Sequence, residues 1–134
     1  MKVELRNMRL AINVAIIQDR KILAVKKKET WILPGGKPES GEGDLECLCR
    51  EIEEELSGTQ IENIRYYKEF EGRTPHTRDL LKARVYFASI KGELHTFSRE
   101  ILGVAWISYN EIGNYKFSDI TQEVLDELRR ENYL

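Results

Sequence analysis

Two cysteines, three prolines and two histidines stand in 134 residues, and each scarcity closes off a class of protein. Cys47 and Cys49 are one residue apart, too close for an ordinary disulfide within a helix, and no second pair completes a structural zinc site. A reducing compartment, the cytoplasm, is the expectation. No run of about 18 apolar residues exists to cross a membrane, and the opening MKVELRNMRL has no apolar stretch of signal-peptide length. An excess of positive charge is missing too. Lys plus Arg number 21 and Asp plus Glu 23, a net charge of −2, so no field is available for bulk nucleic-acid binding. His76 and His95 have no acidic or cysteine neighbours at metal spacing and read as surface residues.

What is present suits one domain spanning 1–134, with 41% hydrophobic and 33% charged residues. Residues 9–17 (RLAINVAII) and 21–27 (KILAVKK) read as strands joined by a tight turn, and WIL as a third strand stopped by Pro34. Residues 34–43 (PGGKPESGEG) read as a glycine-rich loop with too little apolar character to form an element. Asp44 is the expected N-cap of a helix running to Leu56 and ended by SGT. Residues 60–72 and 80–90 look like strands around the loop RTPHTRD, and GVAWIS like a further one, for five or six in all. Ser118 can cap a last helix buried through Ile120, Val124, Leu125 and Leu128, followed by a frayed RRENYL.

Chemistry concentrates in the first helix. At 100° per residue, Leu48, Cys49, Ile52 and Leu56 fall within about 60° of Leu45, predicting a core face that includes Cys49, with Cys47 only partly covered. Glu51, Glu54 and Glu55 lie at about 240°, 180° and 280°, so three carboxylates share one flank. Like charges three and four residues apart weaken a helix, and Arg50 offsets them only in part. A divalent cation such as Mg²⁺, which takes carboxylate oxygens and substrate phosphates, fits that flank. Gly35 and Gly36 allow a ligand to approach the backbone closely, so a carbonyl there can join a metal and amides there can face a phosphate.

The run GGKPESGEGDLECLCREIEEELSG, about residues 35–58, resembles the box of the Nudix (MutT-like) hydrolases. That pattern is Gly, five residues, Glu, seven residues, Arg-Glu, an aliphatic residue, any residue, Glu-Glu, any residue, Gly and an aliphatic residue. Gly36, Glu42, Arg50, Glu51, Ile52, Glu54 and Glu55 match it in register, while Ser57 and Gly58 depart from it. The departure predicts a helix exit shifted by one residue, with Gly58 in the left-handed position after the helix. Trp106 and the following ISYNEI resemble the tryptophan and short helical turn near the end of that domain.

The resemblance implies an α/β/α sandwich, a mixed sheet between helices. It further implies hydrolysis of a phosphoanhydride in a nucleoside diphosphate linked to another group, such as a nucleoside triphosphate or ADP-ribose, with Mg²⁺ or Mn²⁺ as cofactor. Glu51, Glu54, Glu55 and the Gly35 carbonyl would hold metal, and Arg50 would orient the carboxylates. Glu42 would sit at the helix start. The general base would be Glu51 or a loop glutamate, Glu100 with Glu93 behind it. Gly36, Lys37, Arg73 and Arg78 are the candidates for contact with substrate phosphates. Pro75, 17 residues after Gly58, and Tyr66 and Tyr67 match no substrate-specific register. The partner is a small-molecule nucleotide, and a homodimer is compatible with the family. The competing class is a nucleotide-sensing domain without catalysis, which would have no need of a costly acidic cluster.

Overall fold

Residues 8–74 and 77–134 are described in the computed structural model. The alternating runs form β1 (Arg9–Gln18) and β2 (Lys21–Lys27), followed by β3 (Thr30–Ile32) and the two-residue β4 (Gly35–Gly36). Then come α1 (Asp44–Glu55), the long hairpin β5 (Leu56–Arg73) and β6 (Leu80–Phe97), β7 (Ile101–Ser108), a 3₁₀ turn (Tyr109–Asn114) and α2 (Asp119–Arg130). The 3₁₀ turn stands where the short helical turn after Trp106 was expected.

The sheet is mixed. β1 lies parallel to β6 and antiparallel to β2 and β4, and the order runs β3-β2-β1-β6-β5, with β7 on β2 and β4 on β1. Strand alternation separates two cores. Ile12, Val14 and Ile16 of β1 join Leu23 and Val25 of β2 against Cys47, Leu48 and Ile52 of α1. Ala15, Ile22, Val85 and Phe87 face the other way, against Val124, Leu125 and Leu128 of α2. Helices thus cover both faces, the α/β/α arrangement expected.

Several expectations are corrected. The described residues hold seven strands, because the glycine loop supplies β4, which forms through backbone pairing of Gly35 with Asn13 and Gly36 with Ile12 and needs no apolar side chain. The helix cap is Gly43, whose N–H donates to Glu46 Oε1 at 3.0 Å. Asp44 is drawn away by the Tyr86 hydroxyl, 2.5 Å from its Oδ2, and by Arg84. SGT does not follow the helix as a loop; β5 starts at Leu56, and Gly58, at φ +97°, sits in a bulge of that strand. A Cβ on Gly58 would come 2.2 Å from the Glu93 carbonyl, so the crossing of β5 and β6 requires glycine there.

The carboxy-terminal segment is docked, not frayed. Leu134 is buried, its carbonyl accepts from Arg20 and Arg129 at 3.0 Å, and Tyr133 packs on Phe87 with ring centroids 4.8 Å apart. The rotation of α1 also differs from expectation. Cys47, Leu48, Ile52 and Glu55 face inward, whereas Leu45 and Cys49 are exposed. The two cysteines therefore exchange the roles expected of them, and the acidic flank turns toward the sheet.

Candidate active site

The inward turn of α1 sets its acids beneath β4. Glu55 is 3% exposed; its Oε1 accepts the Gly35 N–H at 3.2 Å, and Lys27 Nζ lies 2.6 Å from Oε2. The Lys27 ammonium is the partner of that buried oxygen among the described residues. Burial dominates the balance and pushes the Glu55 carboxyl up to about 7, against the opposing pull of Lys27 and Gly35. Burial also raises Glu51, while Arg50 pulls it back.

Arg50 is the hub of the cluster. Its Nε and Nη2 grip Glu42 at 2.6 and 2.8 Å, its Nη1 reaches Glu51 at 3.0 Å and Glu54 at 3.3 Å, and Nη2 also donates to the Lys37 carbonyl at 3.1 Å. Such a bidentate grip holds Glu42 down to about 2 and raises Arg50 further above its ordinary value. The same guanidinium ties the 37–42 loop to the helix. Cys47 donates to the Gly36 carbonyl at 3.7 Å, and burial pushes its thiol up to about 11, so it stays protonated and packs as a small core residue.

Three observations fit this site to a divalent cation. The donors are hard oxygens, as Mg²⁺ requires. Glu55 Oε2 is buried and has a cation, the Lys27 ammonium, beside it at 2.6 Å. A Cβ on Gly36 would fall 2.5 Å from the Glu51 carboxylate, so the space over that carboxylate exists only because residue 36 has no side chain. As the side chains stand, no three His, Cys, Asp or Glu residues among those described converge on one point. Arg50 and Lys27 hold the carboxylates instead.

Beside the acids opens a cleft of about 530 Å³. It meets the cluster through Gly35, Gly36 and Lys27, which line it and contact Glu51 or Glu55. Lys37 and Glu100 line it as well, so two sequence candidates from separate loops are brought to the box. Glu54 stands at the exposed edge of the cluster. Arg73 and Arg78 are not brought into the cleft. Arg73 donates to the Arg78 carbonyl at 3.2 Å, and Arg78 pairs with Asp119 at 3.2 Å. Glu93 is exposed on β6, away from the cleft lining, and His95 is exposed beside Gly58. Pro75 and His76 lie outside the described residues.

Two residues of the site escaped the sequence reading. From the sequence, Lys27 simply ends a hairpin strand. Yet Leu23, Val25 and Lys27 share one side of β2, the side facing α1, so alternation alone aims it at the acids. Asn13 lines the cleft and donates its Nδ2 to the Leu33 and Pro34 carbonyls at 3.1 and 3.4 Å, holding the backbone that leads into β4. Its position among the apolar residues of β1 is the signal that would have found it.

Comparisons with known proteins bear on the family and the fold. The NUDIX domain profile matches residues 7–128. A MutT NUDIX hydrolase from Burkholderia pseudomallei is 26% identical with a TM-score of 0.79, over 90% of this chain and 98% of its own. A NUDIX hydrolase from Nitrosomonas europaea also reaches 0.79, at 16% identity over 92% and 89%. A MutT protein from Methanosarcina mazei reaches 0.76, at 19% identity over 93% and 95%. These last two show likeness of fold. No curated protein sequence matches the chain.

Proposed function

The chain belongs to the Nudix family and is an enzyme of the pyrophosphohydrolase kind, and on that footing we propose that it is a Mg²⁺-dependent hydrolase of a nucleoside diphosphate linked to a further group. The observation that carries this reading is the buried Glu55 carboxylate, seated on the Gly35 amide beside Glu51 at the edge of a nucleotide-sized cleft. A fold alone has no use for an acid whose burial costs stability. A nucleotide-sensing domain without turnover would tolerate its loss.

Glu51, Glu54, Glu55 and the Gly35 carbonyl would hold Mg²⁺ or Mn²⁺, which when bound neutralises the diphosphate and acidifies a water. Arg50 sets the rotamers of Glu42, Glu51 and Glu54 and thereby orients the acids without touching substrate. Lys37, on the cleft, offers a cation to the diphosphate. Glu100 is the general base of this scheme, because it lines the cleft and no cation among the described residues pairs with it, whereas Arg50 occupies Glu51. Water oxygen bonds to phosphorus, the bridging P–O bond breaks toward the leaving phosphate, and the water proton passes to the Glu100 carboxylate.

A phosphate-release screen with Mg²⁺ tests the proposal, run against nucleoside triphosphates, nucleotide sugars, ADP-ribose and dinucleoside polyphosphates with Glu54→Gln as comparison. Turnover of at least one class, reduced about a hundredfold or more in Glu54→Gln, is the expected result. Nucleotide binding without turnover would support the sensing domain instead.

A further inference from the structure

Arg99 stands apart electrostatically. Every other described arginine has a carboxylate, a carbonyl or an aromatic ring as partner. Among the described residues Arg99 has none, and it lines the cleft next to Glu100. Its position is built by the sheet. The β6–β7 turn closes with the Ile101 N–H on the Ser98 carbonyl at 3.0 Å, and Ile101 pairs with Lys27 at the end of β2. That pairing sets the turn beside Lys28, which has a φ of +53° and also faces the cleft.

A bulge reinforces the arrangement. Lys26 pairs with Gly103 and Lys27 with Ile101, so Leu102 is the extra residue, 60% exposed and turned onto the cleft mouth. The cleft therefore carries an apolar ledge beside three cations, Lys28, Lys37 and Arg99, that have no ion-pair partner among the described residues. Lys27 is balanced by Glu55, and Glu100 is the single carboxylate in the lining. Three cations against one acid leave the cleft at +2 in a chain whose net charge is −2. With Lys37 serving the diphosphate, Lys28 and Arg99 are left on the β2 and β6–β7 side of the cleft as cations for an anionic group outside it.

We infer that Arg99 is a specificity-determining residue that binds an anionic group beyond the scissile diphosphate, so that the cleft selects nucleotides bearing a third phosphate over those linked to an uncharged sugar. This inference rests on the cleft being the substrate site proposed above. An arginine fork bonded to a phosphate contributes to affinity only when that phosphate is present, so the effect of its removal depends on the substrate.

The test compares kcat/KM of the wild type, Arg99→Ala and Arg99→Lys with a nucleoside triphosphate and with a nucleoside diphosphate linked to a neutral hexose. In parallel, inorganic tripolyphosphate and pyrophosphate are titrated calorimetrically onto the same proteins. Arg99→Ala is expected to lose roughly ten- to hundredfold with the triphosphate, less than threefold with the sugar conjugate, and to bind tripolyphosphate more weakly, with Lys restoring part of each loss. Equal losses on both substrates, or none, would overturn the inference while leaving the hydrolase reading intact. Tripolyphosphate binding that depends on Arg99, in a protein without turnover, would uphold the inference and overturn the hydrolase reading. Tripolyphosphate binding indifferent to Arg99 in such a protein would overturn both.

Discussion

Glu55→Gln is expected to lower turnover about a hundredfold or more while making the metal-free protein more stable at pH 8. The carboxamide retains an oxygen for the Gly35 N–H, so β4 keeps its anchor and the fold survives. What is lost is the negative charge, and with it a ligand for the cation the acids are built to hold. The stability change follows from the raised carboxyl. Folded Glu55 titrates near 7, against an ordinary value of 4.5. Between those two values the folded chain holds a proton that the unfolded chain has released, so stability falls as pH rises across that window.

Above about pH 7 the whole penalty is present, on the order of 3 kcal/mol, and Gln does not incur it. Lys27 loses its counter-charge in the variant, but its side chain is 27% exposed and its ammonium can turn to the water of the cleft. Melting curves in a chelator from pH 5 to pH 8 check this. The wild type should lose on the order of 10 °C relative to Glu55→Gln over that range. Parallel curves, or turnover within tenfold of wild type, would remove Glu55 from the site.

Gly36→Ala carries the second large effect, and it separates the site from the fold. The added methyl would lie 2.5 Å from the Glu51 carboxyl carbon and Oε1, so the carboxylate must swing away. Because the clash is with the end of a flexible side chain, the fold should hold to within about 1 kcal/mol. Displacing a metal-holding carboxylate by an ångström or more should cost about a hundredfold in turnover. At Gly35 the same methyl would meet the Ile12 carbonyl at 2.1 Å, with φ at +139°, so Gly35→Ala should fail to fold normally. Thermal melting and turnover measured on both variants distinguish the two glycines. A Gly36→Ala protein with wild-type turnover would contradict the placement of Glu51.

The strands of β1 and β2, the helix of the acids and the capped α2 were legible because each rests on local periodicity and local caps. Ser118 accepts the Thr121 N–H as its position suggested. The rotation of α1 was not legible, because Leu45 and Cys49 extend the apolar face of Leu48 and Ile52 on one side as Cys47 does on the other. The choice between those faces comes from Lys27 and Gly35, both distant in sequence, which give Glu55 partners on the inward side. β4 was hidden for a related reason, since two glycines pair through backbone alone. The outer end of β6 carries exposed Lys91, Glu93 and His95, and only cross-strand pairing reveals it as strand. The box residues gave the acids and Arg50 in register. Lys27, beside those acids at the end of β2, and Arg99, in the β6–β7 turn on the cleft, stand where no local motif marks them.

Whether the α1 acids beneath β4 hold a divalent cation is read by a Mn²⁺ titration at pH 8, followed by electron paramagnetic resonance, on the wild type, Glu51→Gln and Glu55→Gln. Saturable binding in the wild type, weakened about tenfold or more in each variant, is the result predicted here. Equal Mn²⁺ binding by all three proteins, or none by the wild type, would contradict it.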